Sequence, residues 1–349
     1  MSNFLQTRPS AGTAPGSAPS PAIEVQDLVK TYPGGVRALR GLGFTVEPGT
    51  VFGLLGPNGA GKSTTVKILT TLSRPDSGSA RVAGIDVVRR PDRVRRAIGC
   101  VAQRSGVDLE ATGHENLALQ GRLYGIGGRA LKSRVGGLLE RFGLGEAADR
   151  ITKTYSGGMR RKLDVALGLV HRPEVLFLDE PTTGLDPEAR ADMWNEITRL
   201  SSEEGITVLL TTHYLEEADR LARRLAIVDS GRVVAAGTPD ELKAELRGDA
   251  IHVELGAPEP HALVRDALVR DALDRLQGVH EVVLDGRLVR ARVDSGATAV
   301  PAVLGALESR GLAVAAVTIA RPSLDDVYLR YAGRAFSQAD VAHETGGPR

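Results

Sequence analysis

A glycine-rich stretch between an apolar run and a predicted helix constrains the fold of this chain more than any other segment. Residues 51–55 form the apolar run, which predicts a buried strand, and residues 63–72 form the helix. The stretch between them has the spacing G-x-x-x-x-G-K-S, in which glycines let successive backbone N–H groups point inward beside a helix N-terminus and bind phosphate oxygens. Lys62 is expected to reach the β and γ phosphates, and the Ser63 hydroxyl to bind Mg²⁺. The residues expected to contact the nucleotide here are Gly56, Pro57, Asn58, Gly59, Ala60, Gly61, Lys62, Ser63 and Thr64.

Two carboxylates end a second apolar run, at residues 175–178. The first, Asp179, is expected to bind Mg²⁺ directly or through water, because it would lie at the edge of the sheet beside the metal. The second, Glu180, is expected to be the general base that orients the attacking water, a role typically worth about 10² to 10⁴ in rate. The alternative is that both carboxylates cap a helix, but the phosphate loop elsewhere in the chain favours the metal and base roles.

A histidine follows the third apolar run, at residues 207–211. His213 precedes residues 214–224, which have helical periodicity. Ligands of open α/β folds bind at the carboxyl ends of the strands, so we expect His213 to sense the γ-phosphate; the alternative is a purely structural histidine. From Ile23 onward, apolar runs alternate with helical segments, which predicts an α/β fold with a largely parallel sheet.

Composition divides the chain into further segments. Residues 108–172 turn helical, which predicts a helical insertion. Thr238 is expected to cap a helix that ends near Arg247, and a boundary follows near Gly248. Beyond it the pattern predicts strand, helix, two strands, helix and strand, the order of a small ferredoxin-like α+β domain. The predicted segments are a flexible tail (1–21), a nucleotide-binding domain (22–248) with a helical subdomain (about 104–172), an accessory domain (249–332) and a second tail (333–349).

Composition and charge also exclude several classes of protein. The 349 residues carry 44 Lys and Arg against 43 Asp and Glu, a net charge of +1, so we expect no nucleic-acid partner. The longest stretches without a charge are residues 9–23, which are rich in Ser, Ala, Pro and Gly, and residues 48–61, which are interrupted by Gly and Pro. Neither predicts a membrane-spanning helix. The one cysteine, Cys100, cannot form an internal disulfide and is typical of a cytosolic protein.

A short motif between the phosphate loop and the acidic strand resembles a known family. Tyr155-Ser156-Gly157-Gly158-Met159 is similar to the signature sequence of ATP-binding cassette (ABC) ATPases. In that family the nucleotide lies between two cassettes, with the phosphate loop of one facing the signature of the other. The resemblance therefore implies a P-loop NTPase cassette that forms a homodimer, in which Ser156, Gly157 and Gly158 contact the ATP of the partner chain.

Other positions of the family pattern are also occupied. The resemblance implies that Tyr32 stacks on adenine, with an ordinary strand tyrosine as the alternative. It also implies that Gln103 links Mg²⁺ to a membrane partner and that Asp186, in the segment Gly184-Leu185-Asp186, belongs to a dimer-contact loop beside the nucleotide. Three segments resemble the daunorubicin-resistance type of ABC ATPase: residues 112–117, residues 155–164 and residues 322–329. The last of these is equally compatible with an ordinary amphipathic helix, and it has Tyr328 where the commonest family form has Phe.

The resemblance implies a function as the ATP-hydrolysing subunit of an ABC exporter, with ATP and Mg²⁺ as cofactors. Such a subunit would dock on the cytoplasmic face of the cell membrane, on a separate integral-membrane permease, and energise efflux of a hydrophobic drug or antibiotic. The alternative is a regulatory ABC ATPase without a transport partner. ABC ATPases of DNA repair and chromosome organisation are disfavoured because no heptad run lies between Gln103 and Ser156, and ribosome-acting ones because the chain has a single phosphate loop.

Overall fold

The computed structural model describes residues 20–246, 248–256 and 262–333, which form fourteen strands in three sheets, with eleven α-helices. In chain order the strands are β1 (Ile23–Tyr32), β2 (Val36–Val46), β3 (Val51–Leu55), β4 (Ser77–Val82), β5 (Ile85–Asp86), β6 (Ile98–Val101), β7 (Val175–Asp179), β8 (Thr207–Thr212), β9 (Arg224–Asp229), β10 (Arg232–Gly237), β11 (Asp249–Leu255), β12 (Val279–Asp285), β13 (Leu288–Val293) and β14 (Val314–Ala320). The helices are α1 (Lys62–Leu69), α2 (Pro91–Ala97), α3 (Gly113–Leu123), α4 (Gly128–Arg141), α5 (Gly157–Leu169), α6 (Pro187–Ser202), α7 (Leu215–Leu221), α8 (Pro239–Ala244), α9 (Ala262–Leu273), α10 (Gly296–Ser309) and α11 (Leu324–Ala332).

The central six-stranded sheet carries the three apolar runs. Its strand order is β10-β9-β3-β8-β7-β6, and every neighbouring pair is parallel except β9 and β10. The runs predicted at residues 51–55, 175–178 and 207–211 are confirmed as β3, β7 and β8, which are buried along almost their whole length. Because neighbouring parallel strands end at the same edge, the segments that follow β3, β7 and β8 lie at one edge of the sheet.

The expectation of a largely parallel sheet from Ile23 onward is wrong for the N-terminal strands. β1, β2, β4 and β5 form a separate antiparallel sheet in the order β2-β1-β4-β5. The connection between β1 and β2 spans only residues 33–35, whereas parallel strands need a crossover of a dozen or more residues. Gly34 and Gly35 take positive φ values of 87° and 80°, which non-glycine residues seldom adopt, and so reverse the chain in this short turn.

The helical insertion is confirmed as α3, α4 and α5, with a short 3₁₀ helix at Thr152–Thr154. A capping box starts α3, because the Glu115 N–H donates to the Thr112 hydroxyl oxygen and the Thr112 N–H donates to the Glu115 carboxylate. The apolar faces of the three helices meet around Leu117, Leu138 and Leu163, all of which are 1% exposed or less. The insertion therefore has its own packed core, continuous with the face of the central sheet.

Three predicted helices are present but shorter than expected. The helix predicted over residues 63–72 is α1, which ends at Leu69; Thr71, two residues later, has φ 66°, outside the helical region. The helix predicted after His213 is α7, which ends at Leu221 because Ala222 is extended. The helix capped by Thr238 is α8, which ends at Ala244, and position 247 lies outside the described residues.

The predicted order of strand, helix, two strands, helix and strand is confirmed in β11 to β14 with α9 and α10. These strands form an antiparallel sheet in the order β12-β13-β11-β14, the ferredoxin-like arrangement. Val269 and Leu273 of α9, and Val303 and Leu307 of α10, cover one face of this sheet and are completely buried.

The last helix, α11, packs its apolar face against the central domain, while its Asp325 and Arg330 form ion pairs with Arg290 of β13 and Glu281 of β12. Leu324, Val327 and Tyr328 join a buried cluster with apolar residues of β3, α7, β9 and α8. The Tyr328 hydroxyl also donates a hydrogen bond to Asp229 Oδ1, at the end of β9, over 2.9 Å. The chain thus returns from its C-terminal sheet to the central domain.

No helix within the described part of the chain combines the length and the apolar character needed to traverse a bilayer.

Candidate active site

The loop between β3 and α1 is shaped by two glycines with positive φ. Gly59 has φ 77°, and Gly61, which immediately precedes α1, has φ 113°. Gly61 is also required for space, because a Cβ atom there would lie 2.7 Å from the Ala38 carbonyl oxygen and 2.9 Å from Leu39. The loop can therefore pack against β2 and leave backbone N–H groups beside the helix N-terminus, an arrangement that binds phosphates.

Lys62 occupies the first position of α1 and is 4% exposed. Its Nζ donates to the carbonyl oxygens of Gly56, over 2.5 Å, and Pro57, over 3.1 Å. The next residue, Ser63, is exposed. A buried ammonium is stabilised most by anionic partners, which offset its loss of hydration. The loop combines this cation with backbone N–H donors and an accessible hydroxyl, a set of groups suited to binding a polyphosphate.

Glu180, immediately after β7, has an unusual backbone conformation. Its φ is 50°, in the left-handed region that costs a non-glycine residue of order 1–3 kcal/mol unless the surroundings hold it. Its N–H donates over 3.1 Å to the carbonyl and hydroxyl oxygens of Thr211 on the neighbouring strand. The turn that carries Glu180 is therefore held in a fixed conformation by β8.

Side chains from four segments surround the Glu180 carboxylate, which belongs to a residue that is 8% exposed. Lys62 Nζ lies 3.9 Å and His213 Nδ1 lies 3.3 Å from Oε1. Gln103 Nε2 donates to Oε2 over 3.0 Å, and the Thr183 hydroxyl donates to the same oxygen over 3.4 Å. The structure thus brings together the phosphate loop, the acidic strand end and the histidine, which are far apart in sequence.

The electrostatics of this cluster favour an ionised carboxylate. Burial alone would raise the pKa of the Glu180 carboxyl. The nearby His213 ring and the positive charge of Lys62 outweigh burial and hold the pKa of that carboxyl below its ordinary value. Glu180 is therefore negatively charged throughout the neutral pH range.

Oxygen atoms that could coordinate Mg²⁺ lie at the same edge of the sheet. Asp179 is partly exposed, and its Oδ1 accepts a hydrogen bond from the Thr211 hydroxyl over 2.5 Å. The Ser63 hydroxyl and the Gln103 side chain are exposed. A hydroxyl, a carboxylate and an amide oxygen fit the preference of this ion for hard oxygen ligands completed by water and phosphates.

The signature segment begins helix α5. The Ser156 hydroxyl oxygen caps that helix by accepting a hydrogen bond from the Met159 N–H, and Gly157 is exposed. Gly158 packs closely on the start of α6, since a Cβ atom there would lie 3.0 Å from the Ala189 Cβ. No hydrogen bond or ion pair within the described residues joins the signature segment to the phosphate loop of the same chain.

Asp186 and Tyr32 lie apart from the cluster around Glu180. The Asp186 carboxylate caps α6, where it accepts a hydrogen bond from the Ala189 N–H over 2.9 Å. Tyr32 ends β1, and its ring centroid lies 5.7 Å from the Nζ atom of Lys30. Their expected contacts with a nucleotide remain predictions.

Several polar residues of the site were not predicted. Arg161 donates to backbone carbonyls around Glu180, Thr211 bonds both Asp179 and Glu180, and Thr183 bonds the Glu180 carboxylate. Glu217 is completely buried beside them. Charged residues on the apolar faces of α5 and α7 are the signal that could have identified Arg161 and Glu217, because such residues are seldom buried without a partner.

Comparison with known proteins places this geometry in a family. A family model described as ABC transporter matches residues 39–183, and one described as the C-terminal domain of ATP-binding protein DrrA1-3-like matches residues 237–332. The chain is 49% identical over 313 residues to the daunorubicin resistance ATP-binding protein DrrA3 of Streptomyces coeruleorubidus, covering 89% of this chain and 96% of that protein.

Two further similarities extend the comparison. The Nod factor export ATP-binding protein I of Paraburkholderia xenovorans is 40% identical over 321 residues, covering 90% of this chain and 98% of that protein. The solved structure of cbiO1 from Clostridium perfringens, part of an ABC transporter complex, matches with a TM-score of 0.60 at 26% identity and covers 73% of this chain and 96% of that one. The expected P-loop NTPase cassette and its ATPase activity are confirmed. The chain therefore belongs to the ATP-binding proteins of ABC transporters, in the branch of the daunorubicin-resistance proteins, and is an ATP hydrolase.

Proposed function

We propose that this chain hydrolyses ATP to energise export of a hydrophobic drug or antibiotic through a separate membrane subunit. The observation that carries the proposal is the convergence of Lys62, Gln103 and His213 on the buried Glu180 carboxylate. Relatives named for daunorubicin resistance align along almost their whole length, which supports a drug as cargo. A relative named for Nod factor export supports export as the direction of transport.

The phosphate loop and the oxygen donors beside it are proposed to hold Mg²⁺-ATP. Residues 56–64 would contact the phosphates, and Tyr32 would stack on adenine, a contact worth about 1–3 kcal/mol. Ser63, Asp179 and Gln103 would hold Mg²⁺ directly or through water. When bound, the ion would neutralise charge that develops on the phosphate oxygens during hydrolysis.

Three side chains of this chain are proposed to carry the reaction. Glu180 would accept a hydrogen bond from the attacking water and orient it, because its lowered pKa keeps the carboxylate ionised at neutral pH. His213, 3.3 Å from that carboxylate, would sense the γ-phosphate. Lys62 would exchange the neutral carbonyl oxygens of its own loop for phosphate oxygens, which are stronger acceptors.

Two copies of the chain are proposed to complete each nucleotide site. Ser156, Gly157 and Gly158 would contact the triphosphate held by the partner, and Asp186 would lie at the dimer contact. The exposed position of Gly157 at the start of α5 supports this arrangement, because a helix N-terminus attracts anions. ATP would close the dimer and hydrolysis would reopen it.

The membrane partner is proposed to be a polytopic permease on whose cytoplasmic face the dimer docks. Within the chain, residues 22–248 would form the cassette and residues 249–332 the accessory domain. The match of a separate C-terminal family model to residues 237–332 supports this division, although that match begins at Gly237, before α8. The packing of α11 against α8 and the central sheet would tie the two parts together.

Affinity purification from detergent-solubilised membranes tests the transport assignment. We expect the tagged chain to retain a polytopic membrane protein, and inverted vesicles that contain both to take up a fluorescent anthracycline when ATP is added. Recovery of an active ATPase without any membrane protein, together with the absence of ATP-driven uptake, would instead support the regulatory alternative.

A further inference from the structure

One arginine of the signature helix is buried against the turn that carries Glu180. Arg161 lies on α5 and is 8% exposed. Its guanidinium donates to the carbonyl oxygens of Pro181 over 2.8 Å, Ala102 over 2.7 Å, Asp179 over 3.0 Å and Glu180 over 3.1 Å. All four acceptors are backbone carbonyl oxygens. Arg161 therefore holds the backbone in place and leaves the side chains of the site available for other contacts.

The geometry of these contacts requires a guanidinium. Three of the acceptors are the carbonyl oxygens of the successive residues 179–181, at the end of β7 and in the turn that follows it. A planar guanidinium, whose N–H donors point at fixed angles, can bind all three together. Burial lowers the pKa of Arg161, and the nearby carboxylates of Asp164 and Asp179 offset part of that effect. The positive charge of Arg161 is thus partly offset by carboxylates in its surroundings.

The opposite side of the same turn is held from α7. Glu217 is completely buried, and its Oε1 accepts hydrogen bonds from the Thr182 hydroxyl over 2.8 Å and from Trp194 Nε1 over 3.1 Å. The segment from Asp179 to Thr182 is therefore bound to α5 through Arg161 and to α7 through Glu217. The φ of 50° at Glu180 costs of order 1–3 kcal/mol, which these contacts offset together with those from β8.

The same arginine also fixes the backbone beside a second group of the site. Its Nη1 binds the carbonyl of Ala102, and the next residue, Gln103, donates to Glu180 Oε2. The Arg161 guanidinium thus positions the Glu180 backbone. It also positions the segment that carries Gln103, which donates to one carboxylate oxygen of Glu180. A displacement of Arg161 would move both partners of that hydrogen bond.

We propose that Arg161 is a positioning residue for ATP hydrolysis, which ties the signature helix to the Glu180 turn and to the segment that carries Gln103. The proposal rests on the function proposed above for Glu180. It predicts that Arg161 acts on the rate of the chemical step through Glu180 and has little effect on ATP binding.

Steady-state kinetics of the purified full-length chain test this role. Arg161→Gln, which cannot span the four carbonyls, should lower kcat about 10²-fold, since a misplacement near 1 Å can cost that much, and should leave the KM for ATP almost unchanged. Arg161→Lys keeps the charge but not the fork, and should recover only part of the rate. The matched control is Lys162→Gln, which removes only a surface ion pair with Asp192 and should retain the wild-type kcat.

A double-mutant cycle separates positioning from a general effect on folding. In a Glu180→Gln background, single-turnover hydrolysis should fall no further when Arg161→Gln is added, because Arg161 is proposed to act on the rate through the Glu180 carboxylate, which that background already lacks. An additional loss as large as in the wild-type background would overturn the proposal, as would a wild-type kcat for Arg161→Gln. If Arg161→Gln does not fold, the same cycle is run with Arg161→Lys, and the same two outcomes decide.

The same measurements distinguish this proposal from the assignment on which it depends. If Glu180→Gln alone keeps the wild-type rate, the role proposed for Glu180 is wrong and the Arg161 proposal falls with it. If Glu180→Gln loses the rate while both Arg161 variants retain it, only the positioning role is wrong.

Discussion

At the scale of single residues, the arrangement around Glu180 joins charge with fixed geometry. Its carboxylate is buried, lies 3.9 Å from the ammonium of Lys62 and accepts a hydrogen bond from Gln103. Removal of one partner from such a buried cluster leaves the others without compensation for their lost hydration. Substitutions here should therefore act strongly, and in ways that depend on which partner is removed.

Glu180→Gln should lower kcat about 10² to 10⁴-fold and leave the Kd for ATP nearly unchanged, because the amide preserves the shape of the side chain but cannot act as a base. Steady-state hydrolysis and nucleotide titration measure the two quantities. Glu203→Gln is the control, since Glu203 is exposed and pairs only with Arg199 among its described contacts. Unchanged turnover in the Glu180 variant would reject the assignment of the base.

The lowered pKa of Glu180 also predicts how stability depends on pH. A carboxyl whose pKa is lower in the folded than in the unfolded chain stabilises the fold above its unfolded value, and this contribution is lost as the pH falls through the folded value. The difference in unfolding free energy between the wild type and Glu180→Gln should therefore shrink in acid, below the ordinary carboxyl pKa. Chemical denaturation at a series of pH values measures it, and a difference that stays constant into acid would contradict the assigned shift.

The sequence predicted the residues of the site whose spacing is local. Residues 56–61 form one continuous loop that leads directly into Lys62 and Ser63 of α1, and Glu180 and His213 each follow an apolar strand, so short-range pattern was sufficient. Arg161, Thr211 and Glu217 were missed because their partners lie on other elements and depend on the order of strands in the sheet. The contact of Gln103 with Glu180 was missed for the same reason.

At the scale of elements, the last helix connects the C-terminal sheet to the central domain. α11 begins with a capping box of Ser323 and Asp326 and buries Leu324, Val327 and Tyr328 against the central domain. Its sequence was equally compatible with an ordinary amphipathic helix, because an apolar stripe does not reveal which surface it covers. The packing shows that the covered surface belongs to β3, β9 and α7.

Leu324→Ala should destabilise the protein by about 2–5 kcal/mol, the usual cost of removing a buried leucine side chain. The matched control is Leu123→Ala at the end of α3, where the leucine is 74% exposed and the change should stay within about 0.5 kcal/mol. Urea unfolding monitored by the fluorescence of Trp194, which is buried in the central domain, measures both variants. Equal and small effects would show that α11 does not pack as described.

Element order was predictable where each element carries its own pattern. The order of β11 to β14 with α9 and α10 followed from apolar periodicity and turns, and the sheet has the expected ferredoxin-like order. The antiparallel sheet of β1, β2, β4 and β5 was not predicted, since the parallel pattern of the later strands was extended to it. The three-residue turn that contains Gly34 and Gly35 was the local signal for a hairpin.

At the scale of the whole molecule, the proposed nucleotide site draws on two separate segments of the chain, the phosphate loop and the signature segment at the start of α5. Lys62 and Glu180 are in contact with each other, whereas no described hydrogen bond or ion pair connects Ser156 or Gly157 with the phosphate loop. A second copy that faces the first would supply its signature segment to the nucleotide held by the phosphate loop of the first. ATP should therefore act as part of the interface between the copies.

The structure also offers a variant that blocks this interface without disturbing the fold. A Cβ atom at Gly157 would meet no other atom within 4 Å, and an acidic residue at the start of α5 is favourable for the helix. Gly157→Asp should therefore fold as the wild type does, but its charge would face the triphosphate of the partner. It provides the negative control for ATP-dependent assembly.

The most direct test is the molar mass of Glu180→Gln in solution, measured by light scattering with and without saturating Mg²⁺-ATP. We expect a monomer without nucleotide, a dimer with it, and a monomer under both conditions when Gly157→Asp is added. A Glu180→Gln chain that binds ATP and stays monomeric, also in the presence of the proposed membrane subunit, would contradict the shared nucleotide site.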